Sequence, residues 1–200
     1  MSSAIVSLEM RPAARPVPQA PEGSGVALLG RGPETLKAHA QQALDALKAA
    51  GLTIVTAESC TAGTITALLA QAEGASLVLH GGFTTYTKEH KIKALGVSER
   101  LLEQQGAVNA DVVKHMAIGA LERSPATMAI AVSGVLGPEP DEDGNPVGLV
   151  YFCVLVRDKQ PHVVRVELVA KPQGELLEQA LHRAFDLIEV NASSPARTNA

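Results

Sequence analysis

The apolar positions of the chain switch between helical and strand-like spacing from about residue 33 onward. Between Pro33 and Gly51 the apolar residues recur at helical intervals, as on one buried helix face. Residues 52–55 are instead a short β-branched run, which is typical of a buried strand, and residues 64–70 return to helical spacing. We therefore predict a helix, a strand, a tight turn and a second helix. The buried face of the first helix comprises Leu36, Ala40, Ala43, Leu44 and Leu47.

The rest of the chain repeats these patterns. Further strands are predicted over residues 77–86, 126–132, 147–156 and 162–169, the last two as a hairpin. Further helices are predicted from Lys88 to Leu95, from Ser98 to Gly106, after Asn109 and over residues 173–190. Crossover helices favour parallel pairing, whereas a hairpin requires an antiparallel strand. The predicted fold class is α/β: a three-layer α/β/α sandwich whose mostly parallel mixed sheet has one antiparallel strand, from the C-terminal hairpin.

Composition divides the chain into one domain and two tails. Residues 1–32 are rich in Pro and Ala and contain too little apolar surface to offset the entropy of ordering, so they are predicted to be a flexible extension. Residues 33–190 are predicted to form a single α/β domain, and residues 191–200 a disordered tail. Apolar residues make up 46% of the chain and aromatic residues only 2%, so the core is expected to consist of Ala, Val, Leu and Ile.

Charge and cysteine content narrow the classes of partner. A formal net charge of −4 and a pI near 5.9 argue against nucleic-acid binding, which needs a basic face. No apolar run approaches the length of a membrane span, and the N-terminus lacks the layout of a signal peptide. The 2 cysteines are too few for a disulfide framework, and the histidines have no metal-ligand spacing. We expect a reduced, cytoplasmic setting without nucleic-acid, membrane or metal partners.

The candidate chemistry lies in residues 56–63, between the first strand and the following helix. The first N–H groups of a helix lack intrahelical partners, so such a junction suits an anion or a developing oxyanion. Ser59 lies at the bend, and Cys60 is a rival nucleophile. Each residue also has a structural alternative, because such a Ser is commonly a helix cap and such a Cys a packing residue. Ligands of open α/β sheets bind beyond the carboxyl ends of strands, which here points to residues 58–63, 84–91 and 133–138.

These three segments carry a family resemblance. Ala57-Glu58-Ser59-Cys60-Thr61-Ala62-Gly63 resembles the AESCTGG signature of the CinA C-terminal domain family. Tyr86-Thr87-Lys88-Glu89-His90-Lys91, followed by Leu95-Gly96-Val97, resembles its YSNExK…LGV pattern. Ser133-Gly134-Val135-Leu136-Gly137-Pro138 resembles its SGIAGP loop, and the similarity extends in order from about residue 36 to residue 188.

The resemblance implies an α/β/α fold and, for active members, hydrolysis of nicotinamide mononucleotide to nicotinic acid mononucleotide and ammonia, a step of pyridine nucleotide salvage. In this scheme Ser59 is the nucleophile and Lys91 the base, with a pKa that burial lowers, while Tyr86 relays the proton or orients the lysine. Ser133, Gly134 and Gly137 would contact ribose or phosphate through backbone groups. The predicted substrate-binding residues on the side of Ser59 are Glu58, Cys60, Thr61 and Gly63. No metal or cofactor is required.

The chain departs from the family pattern mainly on the substrate side. Ala62 replaces a glycine, a mild change unless the backbone there needs a positive φ. Pro138 is followed by a run that carries four carboxylates, which would repel an anionic nucleotide if they faced it. The family usually has arginines just after a glycine that corresponds to Gly174. Here they are absent, and the first arginine after Gly174 is Arg183. The expected partner is a small-molecule nucleotide and the expected assembly a homo-oligomer, dimer or higher. The alternative function is a catalytically degenerate member that binds a small molecule or a protein.

Overall fold

A computed structural model describes residues 34–169 and 173–193, which form a five-stranded sheet with six α-helices packed on its two faces. The strands are β1 (Ile54–Glu58), β2 (Leu79–Thr84), β3 (Met128–Gly134), β4 (Leu149–Val156) and β5 (His162–Glu167). The helices are α1 (Glu34–Ala49), α2 (Thr64–Ala70), α3 (Lys88–Leu95), α4 (Glu99–Gln105), α5 (Ala110–Glu122) and α6 (Gln173–Ser193). A short 3-10 turn, Ala75–Leu77, precedes β2.

The sheet has the strand order β2-β1-β3-β4-β5. Strand β1 pairs in parallel with both β2 and β3, whereas β4 is antiparallel to β3 and to β5. Four strands therefore run in one direction, and β4 alone runs in the other. This confirms the predicted fold class, with the antiparallel strand coming from the C-terminal hairpin. The carboxyl ends of β1, β2 and β3 consequently meet at one edge of the sheet, as the position of the candidate site requires.

Each face of the sheet carries its own core. On β3, Met128, Ile130 and Val132 face the side covered by α1, α2 and α6, while Ala129 and Ala131 face α5. Small residues on the α5 side allow close packing, and Gly119 of α5 packs directly against the backbone at the end of α3. A Cβ added to Gly119 would come within 1.9 Å of the backbone oxygen of Leu95 at the end of α3. This contact fixes α3, and with it Lys91, against the rest of the domain.

Helix boundaries followed local signals more closely than strand boundaries did. Helix α3 begins and ends where predicted, capped by the Thr87 side chain and by Gly96 with φ +71°. The predicted caps Ser98 and Asn109 are also present. Strand β1, however, continues to Glu58, because all five of its residues pair with both neighbouring strands. The turn that holds Ser59 is therefore shorter than predicted.

The two predicted tails fall mostly outside the described residues. Helix α6 continues to Ser193, so residues 191–193, expected in the disordered tail, are helical. Residues 194–200 and the predicted extension 1–32 lie beyond the part of the chain that is described. Within residues 34–169 and 173–193, no helix combines the length and the apolar character that crossing a bilayer requires.

Candidate active site

The structure brings Ser59 and Lys91 into direct contact. Ser59 follows the last residue of β1, and Lys91 projects from the first turn of α3, across the edge of the sheet. Lys91 Nζ lies 2.8 Å from Ser59 Oγ, a normal hydrogen-bond distance. A nucleophile and a base in hydrogen-bond contact are the central requirement of covalent acyl transfer.

Lys91 is a buried amine whose hydrogen-bond acceptors are a neutral hydroxyl and neutral backbone carbonyls. Its side chain is 1% exposed, and Nζ donates to the backbone oxygen of Thr85 at 2.8 Å as well as to Ser59. Burial lowers the pKa of Lys91 to about 8. With that pKa roughly a tenth of the molecules hold a neutral amine at pH 7, compared with less than about one in a thousand for an ordinary lysine. Lys91 can therefore accept a proton near neutral pH.

Tyr86 contacts this lysine through its backbone rather than through its phenol. The Tyr86 carbonyl oxygen is 3.5 Å from Lys91 Nζ. The side chain is 71% exposed, and within the described residues its hydroxyl bonds to neither Lys91 nor Ser59. The described contacts therefore do not include the expected relay through the phenol, which stays a prediction. The carbonyls of Thr85 and Tyr86 orient the lysine, and the tyrosine ring lies at the pocket wall.

Glu58 anchors the turn and does not face the pocket. Its carboxylate is fully buried and accepts hydrogen bonds from the backbone N–H groups of Ile65 (3.0 Å) and Thr66 (2.8 Å) at the start of α2. It also accepts hydrogen bonds from the hydroxyls of Thr61 (2.7 Å) and Thr66 (2.6 Å). Both oxygens are occupied, so in this structure Glu58 compensates the helix N-terminus, and its contact with substrate stays a prediction.

Thr61 and Gly63 are likewise structural rather than pocket residues. The Thr61 hydroxyl is buried and donates to Glu58. Gly63 has φ +91° at the beginning of α2, where a Cβ would lie 3.0 Å from the Thr84 hydroxyl. Neither residue is among the described residues that line the pocket, and their substrate contacts stay predictions. Ala62 does adopt a positive φ, +51°, in this turn, a conformation that favours glycine.

The backbone N–H groups near Ser59 that lack an oxygen acceptor in the described part of the chain belong to the turn and not to α2. Because Glu58 takes the first helical N–H groups, α2 offers little to an external anion. The N–H groups of Cys60 and Thr61 donate to no oxygen within the described part of the chain, and both interact with the Cys60 sulfur. These two amides are the donors closest in sequence to Ser59.

Cys60 is a poor rival for the nucleophilic role. Burial raises the pKa of its thiol to about 12, so the reactive thiolate is scarce at neutral pH. Its side chain packs against the core on the α1 side, as expected of a structural cysteine. Ser59 is therefore the better-placed nucleophile.

A pocket of about 880 Å³ opens beside the Ser59–Lys91 pair. Of the predicted site residues, those that line it are Ser59, Cys60, Tyr86, Lys91, Ser133, Gly134 and Gly137. Ser133 Oγ donates to the Ala107 carbonyl at 2.8 Å, which fixes the end of β3. At Gly134 a Cβ would come within 2.7 Å of the Leu149 backbone oxygen, so glycine permits close pairing of β3 with β4.

Four carboxylates, which we call the acidic wall, line the same pocket: Glu139, Asp141, Glu142 and Asp143. Lys88 Nζ is 2.9 Å from Glu142 Oε1 and 2.8 Å from Asp143 Oδ1. The acidic run was visible in the sequence, but its placement and its pairing with Lys88 were not. Sequence reasoning also missed the Thr85 carbonyl and Leu177 of α6, since a backbone oxygen and a helix leucine carry no motif. Within the described ranges, no group of three or more His, Cys, Asp and Glu side chains is arranged to hold a metal ion.

Comparison with known proteins shows the family. A model of the CinA C-terminal domain matches residues 36–191, and the chain belongs to this family. It is 43% identical over 113 residues to the nicotinamide-nucleotide amidohydrolase PncC of Escherichia coli K12, covering 56% of this chain and 68% of that protein. It is 40% identical over 135 residues to a CinA-like protein of Mycobacterium marinum, covering 68% of this chain and 32% of that protein.

Solved structures agree with this assignment. The competence/damage inducible protein CihA of Agrobacterium tumefaciens superposes with a TM-score of 0.75 at 31% identity, covering 81% of this chain and 98% of that one. A CinA superfamily protein of Klebsiella pneumoniae superposes with a TM-score of 0.75 at 30% identity, covering 79% of this chain and 98% of that one. The fold is therefore that of the CinA superfamily.

The strained turn yields a stability prediction. Replacing Ala62 with glycine removes a left-handed alanine, and we expect the free energy of unfolding to rise by about 0.5–1 kcal/mol in urea denaturation. The matched control Ala67→Gly makes the same change inside α2, where it should destabilise by about 1 kcal/mol. Equal destabilisation by both variants would show that the Ala62 backbone is unstrained.

Burial of Lys91 yields a second stability prediction. Between pH 8 and pH 10.5 the unfolded chain holds a proton on Lys91 that the folded chain has released, so Lys91 contributes a rise with pH to the free energy of unfolding, whereas the raised pKa values of Cys60 and Cys153 contribute a fall above about pH 9. A shift from 10.5 to about 8 corresponds to roughly 3 kcal/mol. The free energy of unfolding of the wild type minus that of Lys91→Met should therefore rise across this window, whereas the same difference taken with Lys114→Met, at an exposed position, should stay level. A wild-type curve that coincides with that of Lys91→Met would contradict the lowered pKa.

Proposed function

We propose that the chain is a serine amidohydrolase that converts the carboxamide of a nicotinamide nucleotide, or of a similar aromatic amide, to the acid and ammonia. The observation that carries the proposal is the 2.8 Å contact between Ser59 Oγ and the buried amine of Lys91. The relative named nicotinamide-nucleotide amidohydrolase supports the choice of substrate class. The apolar part of the pocket suits an aromatic ring, since it includes Val108, Val135 and Leu177.

In the first half-reaction neutral Lys91 takes the Ser59 proton while Oγ attacks the amide carbon. The carbonyl oxygen becomes an oxyanion, and the N–H groups of Cys60 and Thr61 are the donors proposed to hold it. The tetrahedral intermediate then collapses, and the C–N bond breaks. Protonated Lys91 gives its proton to the departing nitrogen, so that ammonia leaves and Ser59 remains as an ester.

In the second half-reaction water replaces the serine. Neutral Lys91 takes a proton from the water, and the resulting oxygen attacks the ester carbon. The C–O bond to Ser59 breaks, and the proton returns from Lys91 to Oγ. Ser59 and Lys91 end in their starting states, and the products are the carboxylic acid and ammonia. Each step needs only one base that can shuttle a single proton.

A binding function without turnover is the alternative. It is favoured by one observation: Lys88, which lines the pocket, is already engaged by two carboxylates and so has little capacity left for a phosphate. Calorimetric binding of nicotinamide mononucleotide without any ammonia release would support this alternative. The predicted homo-oligomeric assembly, the cytoplasmic setting and the absence of nucleic-acid and membrane partners remain predictions.

Ammonia release from nicotinamide mononucleotide tests the proposal. The wild type should release ammonia, and Ser59→Ala should lower kcat by about a thousandfold or more, because the nucleophile is lost. Cys60→Ala is the matched control; it should retain turnover within about threefold, since the protonated thiol does not attack. Loss in Cys60→Ala with retention in Ser59→Ala would reverse the assignment of the nucleophile.

The protonation state of Lys91 predicts a pH profile. The neutral amine is the active form, so kcat/KM should rise about tenfold per pH unit below the pKa and level off above pH 8. Initial rates of ammonia release between pH 6 and pH 10 would measure this profile, with Ser59→Ala as the blank. A rate that falls as the pH rises through 8 would rule out Lys91 as the base.

A further inference from the structure

The charged lining of the pocket limits which amide can reach Ser59. Nicotinamide mononucleotide joins a cationic pyridinium ring to an anionic phosphate, whereas the corresponding riboside has the cation and no phosphate. A pocket built for the phosphate supplies cations or free donors to it, usually arginine or lysine. The described lining residues include two lysines, Lys88 and Lys91, and no arginine.

Lys88 is engaged by its neighbours. Its amine lies between Glu142 and Asp143, at 2.9 Å and 2.8 Å. These two carboxylates, Asp143 first, raise the pKa of Lys88, which keeps it charged and paired. Its one positive charge is thus more than offset by two negative charges in contact with it. A phosphate at this position would have to displace a carboxylate from Lys88.

Lys91 is committed to the reacting centre. Its amine contacts Ser59 and the Thr85 carbonyl, deep in the pocket, and the proposed reaction uses it in the neutral form. The amide group of the substrate, not the phosphate at its other end, belongs beside this residue. Lys91 therefore cannot serve as the phosphate partner while it acts as the base.

The acidic wall is held in place by the chain itself. Asp143 accepts a hydrogen bond from the Ala107 N–H at 3.1 Å, and Asp141 accepts hydrogen bonds from the N–H groups of Asn145 (2.8 Å) and Asp143 (3.1 Å). The Asn145 side chain adds a further contact to Asp141 at 2.8 Å. These hydrogen bonds hold the carboxylates of Asp141 and Asp143 in place. Glu139 and Glu142 are exposed, and no backbone N–H donates to either of them in the described part of the chain.

We infer that the enzyme acts on a cationic, phosphate-free N-glycosylated pyridine carboxamide, and that Glu139 and Glu142 are specificity-determining residues that disfavour the phosphorylated analogue. The inference rests on the proposed amidohydrolase function and names its substrate class. Like charges across a partly solvated pocket repel one another, and the pyridinium cation is attracted by the same carboxylates. The acidic wall therefore disfavours a substrate with a phosphate and favours one with a net positive charge.

The test compares two probes, nicotinamide riboside and nicotinamide mononucleotide, by kcat/KM for ammonia release at low ionic strength. The wild type should favour the riboside by at least about tenfold. In the double variant Glu139→Gln/Glu142→Gln, kcat/KM for the mononucleotide should rise about five- to tenfold, whereas the value for the riboside should stay level or fall. Added salt should narrow the preference of the wild type, because screening weakens the repulsion.

The matched control is Glu103→Gln/Glu122→Gln, which makes the same change in net charge at exposed positions outside the pocket lining. Its preference between the two probes should equal that of the wild type. A wild type that favours the mononucleotide, or an equal shift in both double variants, overturns the inference and leaves the amidohydrolase intact. No ammonia from either probe overturns the proposed function, and the inference falls with it.

Discussion

The candidate site depends on one contact, the hydrogen bond between Ser59 and the buried amine of Lys91, which forms no ion pair with a carboxylate of the described residues. Burial disfavours the charged form of Lys91, and this holds its pKa near 8 instead of 10.5. A carboxylate in contact with the amine would restore the ordinary pKa and leave the serine without a base. Glu58, which directly precedes Ser59 in the sequence, instead points toward α2, where its oxygens accept hydrogen bonds from the N–H groups of Ile65 and Thr66. The lowered pKa of Lys91 is thus compatible with the direction of the Glu58 side chain, which binds α2 and not the amine.

Glu58 also determines what the turn can bind. By taking the first N–H groups of α2, it closes the site that a bare helix N-terminus would offer to an anion. The amides of Cys60 and Thr61, within the turn itself, donate to no oxygen in the described part of the chain and contact only the Cys60 sulfur. The turn is tight enough to force a positive φ on Ala62, and Gly63 continues it into the helix. The proposed nucleophile Ser59 is therefore positioned by a strand, a strained turn and a buried carboxylate together.

The sequence predicted the fold class, the three segments of the site and the pairing of Ser59 with Lys91, since apolar spacing and local motifs encode each of them. It did not show that Glu58, Thr61 and Gly63 lie outside the described pocket lining, because a motif identifies residues that occur together without indicating which of them face a ligand. The exposure of the Tyr86 phenol depends on packing that no local pattern records. The contact of Lys88 with Asp143 joins residues far apart in sequence, so it could be read only from the folded chain.

The proposed function therefore depends on the protonation state of the Lys91 amine. Selective labelling of lysine side chains and NMR titration of the folded protein would follow the Lys91 signal directly, with Lys91→Met identifying it. The structure predicts a midpoint near pH 8. A midpoint near 10.5, as for an exposed lysine, would contradict the neutral base on which the proposed amidohydrolase depends.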